Sequence, residues 1–85
     1  MSKPLPPYSE MAKSLKPGVY KHFKGDSYRV IGVARVSGES DELPEVVVYQ
    51  GLYEGNTIFV RPIAMFCDSI DRVEYKGPRF TYVSE

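Results

Sequence analysis

The chain has 85 residues, 42% of them hydrophobic and 26% charged, and its 11 Lys+Arg balance 11 Asp+Glu for a formal net charge of zero. That apolar content excludes a fully disordered chain, no run approaches the ~20 apolar residues that span a bilayer, and so short a chain closes one compact core, with no room for a second domain or a deep cofactor cavity. One cysteine, Cys67, and one histidine, His22, exclude an intramolecular disulfide and the usual Cys/His zinc sites, so neither a metal nor another cofactor is expected.

Residues 1–16 read as an N-terminal arm. Pro4-Leu5-Pro6-Pro7 favours polyproline II, and Ser9 is placed to cap a short helix through Glu10–Leu15 that Pro17-Gly18 ends. Such a helix is marginal alone and persists only if Met11 and Leu15, spaced i to i+4, dock on the body. The arm has no 7–15-residue apolar stretch behind a basic segment, so no signal peptide is indicated and a cytoplasmic location is expected.

From residue 17 to 85 the pattern is that of a single small β domain. Val19–Phe23 and Tyr28–Val36 are rich in β-formers and are joined by the turn residues Lys24-Gly25-Asp26, which predicts a hairpin. Ser37–Glu45, with Gly38, Pro44, Glu39, Asp41, Glu42 and Glu45, reads as a solvated acidic loop whose spacing departs from an EF-hand. Val46–Tyr53 is apolar on both alternation phases, as a central strand covered on both sides would be. Glu54-Gly55-Asn56 turns it into Thr57–Arg61, and Pro62 then starts a helical turn at Ile63–Cys67. Arg72–Tyr75 and Arg79–Val83 flank Lys76-Gly77-Pro78 as a last hairpin. Five or six short strands with one helical turn suit a mainly β fold, a small SH3-like barrel; an open sheet with the arm helix on one face is the rival.

Charge is uneven along the chain. Residues 1–35 carry seven basic and two acidic residues, and residues 36–85 carry four basic and nine acidic. In a compact domain these halves interleave and neutralise each other, and a nonspecific polyanion binder would be more basic overall. The glycines, at 18, 25, 32, 38, 51, 55 and 77, match neither G-x-G-x-x-G nor G-x-x-x-x-G-K, so neither nucleotide-binding loop is present.

Pro17-Gly18-x-Tyr20-x-His22-x-Lys24-Gly25-x-x-Tyr28-x-Val30, then Val47-Val48-Tyr49-x-x-Leu52-Tyr53, Val60-Arg61-Pro62-x-x-Met65-Phe66 and Arg79-Phe80 closely resemble the small bacterial proteins grouped as domain of unknown function 1653. The resemblance covers about residues 17–82. It implies an SH3-like barrel, a bacterial cytoplasmic setting and no assigned activity, and it brings no catalytic residues. Two departures stand out. Val36-Ser37-Gly38-Glu39 replaces the family's His-Ser-Glu after Ala34-Arg35, and Phe59 replaces a Trp before Val60.

Three constellations carry functional expectations. If Ile58 and Val60 face the core, alternation turns Thr57, Phe59 and Arg61 outward, and Tyr49 and Tyr53 share a face with Gly51, whose missing side chain leaves space for a ligand or a neighbouring ring. Tyr, Phe and Arg are the side chains of binding hot spots, so Tyr49, Tyr53, Phe59 and Arg61 are the candidate ligand-binding set; the competing expectation is that Arg61 bridges to Asp68 or Glu74. Lys21, His22, Lys24 and Arg29, interleaved with Tyr20, Phe23 and Tyr28, form the candidate nucleic-acid hairpin. His22 is also the one candidate general base, with Ser27, Ser37 and Asp26 near it in sequence, although a histidine bonded to backbone at the hairpin base is the simpler expectation. Cys67 and the plug residues Met65 and Phe66 are expected to be buried. The leading function is a non-enzymatic binding module for a peptide, a partner protein or a small anionic ligand, with RNA binding and a His22-based enzyme as alternatives. No membrane association is expected, and the chain is expected to be a monomer or a homodimer.

Overall fold

The computed structural model describes residues 6–38, 43–53 and 55–85. Residues 1–5, the acidic positions Glu39, Asp41 and Glu42, and the turn residue Glu54 lie outside that set. Helix α1 spans Glu10–Ser14; strands β1 (Gly18–His22), β2 (Ser27–Arg35), β3 (Glu45–Gly51) and β4 (Ile58–Pro62) follow; then come helix α2 (Ile63–Phe66) and strands β5 (Ser69–Asp71), β6 (Lys76–Pro78) and β7 (Phe80–Ser84).

β1 to β4 form an antiparallel meander, and β7 returns to pair with β1, giving the order β4-β3-β2-β1-β7. The β1–β2 turn places Gly25 at φ 115°, a backbone that glycine adopts without strain. At the β3–β4 reversal Gly55 and Asn56 both sit at positive φ, 92° and 44°, which is the chemistry that tight hairpins demand. Bulges between Val30 and Gly32 and between Val19 and Tyr20 sharpen the twist of the central strands. Closure into a barrel needs β4 to pair with β7. Among the described residues no such ladder forms, so the architecture is a mainly β, open antiparallel sheet with a separate β5–β6 ribbon.

The last segment departs from the predicted hairpin. Arg72–Tyr75 is a turn, β5 pairs with β6, and β7 leaves them for β1, with His22 opposite Phe80. The reason is burial: Phe80 packs against Phe66 with ring centroids 4.1 Å apart, and only pairing with β1 brings it there.

The core lies on one face of the sheet. Tyr20, Val30, Val47, Tyr49 and Phe80 meet Ile63 and Phe66 of α2 and Ala12 of α1. Ser9 caps α1 as predicted, its Oγ accepting from the Ala12 N–H at 3.1 Å, but Ala12 and Leu15 dock while Met11 is exposed. On so short a helix the side facing the sheet is set by the small residue that permits close approach. Pro62 is the N-cap of α2, one position before the predicted one. α2 plugs the core with Ile63 and Phe66; Met65 and Cys67, expected inside, are exposed because a single helical turn can turn only one side to the sheet.

Candidate functional site

β4 is inverted relative to the predicted phase. Ile58 and Val60 are exposed, at 59% and 65%, whereas Phe59 and Arg61 are half-buried on the core face. The register explains why. Phe59 pairs with Tyr49, and residues directly opposite share a face; Tyr49 is 4% exposed, and its ring stacks on Phe59 at 5.6 Å. Either alternation phase of β4 is apolar, and the larger ring takes the core.

Arg61 therefore points inward, beside β3. Its Nε donates to the Tyr49 hydroxyl at 3.2 Å, and its guanidinium carbon lies 5.8 Å from the Phe80 ring centre. Among the described residues no carboxylate lies within ion-pair distance of it, and its two Nη atoms have no hydrogen-bond partner. The expected bridge to Asp68 is made by Arg79 instead, in a two-point contact from Nε at 2.7 Å and Nη2 at 3.1 Å. The Arg79 N–H also donates to the Asp68 carbonyl at 3.0 Å, so backbone pairing fixes this couple. The hydrogen bond from Arg79 holds the Asp68 carboxyl below its ordinary value, with Arg61 a smaller contributor.

Around these arginines the rings form a continuous wall. Tyr28 of β2 packs edge-on against Tyr49, Tyr53, Phe59 and Phe80, at centroid distances of 5.4 to 6.2 Å. The Tyr53 ring folds back over Gly51, where a Cβ would come within 2.6 Å of it, so the space that glycine opens holds a ring of the chain itself. The Tyr53 hydroxyl approaches that of Tyr28 at 3.5 Å. Burial, reinforced by this contact, raises the Tyr28 phenol well above its ordinary value, keeping it a neutral hydrogen-bonding group.

His22 completes the wall from β1. Its Nδ1 accepts the Lys24 backbone N–H at 3.1 Å, so in the neutral ring Nε2 carries the proton and is a donor. The ring packs 4.7 Å from Phe23 and 4.9 Å from Phe80. Burial lowers its pKa below 6.5, and the positive charges of Arg61, Arg79 and Lys24 lower it further. Among the described residues no side chain of Ser27, Ser37 or Asp26 bonds to the imidazole.

The rest of the basic hairpin is dispersed. Lys21 pairs with Ser27 and Thr81, and Arg29 pairs with Val19, on the face opposite the core, while Lys24 lies in the turn, 5.9 Å over the Phe23 ring. Arg72 covers the same ring at 5.3 Å, and Tyr75 stacks on it at 5.4 Å. The sequence assigned His22 and Arg61 to separate roles, placed Tyr28 only among the rings of the basic hairpin, and gave Arg79 and Phe80 no site role. Only the β1–β7 pairing brings Arg79 and Phe80 alongside Tyr28. Among the described residues no group of three metal-ligating side chains assembles, and no helix is long and apolar enough to cross a membrane.

With this geometry in place, comparison with known proteins identifies the class. Residues 18–82 match the family described as protein of unknown function (DUF1653), and the chain belongs to that family. It is similar to a crystal structure of a DUF1653 protein from Bordetella bronchiseptica, at 37% identity and a TM-score of 0.72, over 86% of this chain and 92% of that one. No curated protein matches the chain.

Proposed function

We propose that this protein is a non-enzymatic binding module, an SH3-like cradle in which Arg61, flanked by Phe59 and Tyr53 and positioned by the buried Tyr49, captures the anionic group of its ligand. One observation carries this reading. Arg61 is half-buried among aromatic rings and, among the described residues, its Nη atoms have no hydrogen-bond partner, while the neighbouring Arg79 has a carboxylate of its own. A guanidinium presents a planar fork of donors matched to a carboxylate or phosphate, and partial burial strengthens the attraction relative to open water. The His22 Nε2–H and the Tyr28 and Tyr53 hydroxyls add donors to the same wall, which suits an anion.

The test is calorimetric titration of wild type and Arg61→Ala with glutamate and with inorganic phosphate, alongside thermal unfolding of both. The reading predicts a folded Arg61→Ala protein that has lost at least tenfold in affinity, corresponding to about 1.4 kcal/mol. Arg61→Lys keeps the charge without the fork and should bind between the two. Equal binding by wild type and a folded Arg61→Ala protein would overturn the reading.

A further inference from the structure

We propose that β4 is a docking edge for an extended peptide whose side chains alternate between acidic, toward the core face, and aliphatic, toward the outer face. This deepens the anion-binding reading of Arg61 and rests on it.

The argument begins with the backbone. β4 ends the sheet, and its ladder to β3 runs unbroken from Gln50 opposite Ile58 to Val46 opposite Pro62. Among the described residues no hydrogen bond reaches its other side, so its outward N–H and C=O groups remain free to pair. Strand edges in soluble proteins are ordinarily blocked by an outward lysine, a bulge or a mid-strand proline. β4 has none of these: its one charge, Arg61, turns inward, its register has no shift, and Pro62 stands at its last position.

The side chains then specify what pairs there. A residue added opposite a β4 residue shares its face, with Cβ atoms about 4.5–5.5 Å apart. On the outer face it meets Ile58 and Val60, exposed at 59% and 65%, which reward aliphatic groups. On the core face it meets Phe59 and Arg61, and Arg61 lacks a carboxylate partner among the described residues. A second copy of β4 does not answer this pattern. Residues 58–62 contain no acid, so pairing β4 with itself would bring two Arg61 cations to one face. The opposite edge, β7, offers no comparable unpaired cation in its strand. Strand addition is an established mode of peptide recognition, in which main-chain bonds give affinity and alternate side chains give selectivity.

The probe is the peptide acetyl-Val-Glu-Val-Glu-Val-amide, compared with its Val-Lys-Val-Lys-Val analogue and with a copy N-methylated at alternate amides. Binding is read by amide hydrogen exchange across residues 58–61 and by affinity. Expected results are slowed exchange at β4, at least tenfold preference for the Glu peptide, and loss of binding on N-methylation. Val60→Lys, at an exposed position, should weaken the peptide while leaving the response to free glutamate intact, and Arg61→Ala should erase the Glu-over-Lys preference. If free glutamate binds through Arg61 but the peptide gives no protection at β4, or the N-methylated peptide binds equally, strand docking is overturned and the anion site stands. If neither glutamate nor peptide responds to Arg61→Ala, the anion reading itself falls. Concentration-dependent protection of β4 without peptide, with sedimentation showing a dimer, would assign the edge to a second copy and overturn the proposal.

Discussion

Arg61 and Arg79 carry the same chemistry, and the fold gives them different partners. Arg79 is spent on Asp68, eleven residues away, through two side-chain bonds and a backbone bond. Among the described residues Arg61 bonds only the Tyr49 phenol, and the difference leaves a guanidinium on β4 without a carboxylate partner. His22 reports on both: because burial and the two cations lower its pKa, its imidazole titration followed by NMR should have a midpoint below 6.5, and Arg61→Ala should move that midpoint up. A midpoint at or above 6.5 would place the ring outside this patch. Phe66 belongs to the core, sandwiched on Phe80 and edge-on to Tyr20 and Tyr49. Phe66→Ala should cost about 3–5 kcal/mol in denaturant unfolding, and a loss under 1 kcal/mol would contradict its role as the plug.

Among the elements, those made by local chemistry were legible in the sequence. The Lys24-Gly25-Asp26 and Gly55-Asn56 turns announced two hairpins, and Ser9 announced α1. What stayed hidden depends on pairing across the chain. Ile58, Phe59 and Val60 are all apolar, so their alternation has no preferred phase until Tyr49 lies opposite Phe59. The β1–β7 ladder joins residues about sixty positions apart, and no spacing rule predicts it; with it went the placement of Arg79 and Phe80. Tyr49, Phe59 and Arg61 do converge, but on the face opposite to the one predicted. α1 gives a local check. Ser9 caps it and also binds Glu45 of β3 through its N–H at 2.8 Å and its hydroxyl at 2.6 Å, so Ser9→Ala should lower stability by about 1 kcal/mol in chemical denaturation. An unchanged midpoint would mean that α1 contributes nothing to the fold.

At the scale of the whole molecule, zero net charge conceals a local surplus of donors on the core face. Three groups, each shifted by its own neighbours, make the fold sensitive to acid. His22, Glu45 and Asp68 all have folded-state values below their ordinary 6.5, 4.5 and 3.8. The hydrogen-bonded carboxylates stabilise the fold above their unfolded values and lose that contribution as pH falls through the folded ones, whereas His22, buried beside cations, costs stability once the pH falls below 6.5 and the unfolded ring takes a proton more readily. The His22 effect comes first, below 6.5, and that of the carboxylates follows below about 4.5. The central claim concerns the Arg61 guanidinium on that face, and it is tested most directly at the atom itself. The Arg61 Nε–Hε resonance, followed in 15N-labelled wild type during titration with sodium acetate, should shift saturably together with His22 Nε2, while the Arg79 Nε–Hε resonance stays in place. An Arg61 resonance that does not move, or moves only as Arg79 does, would contradict an anion site at Arg61.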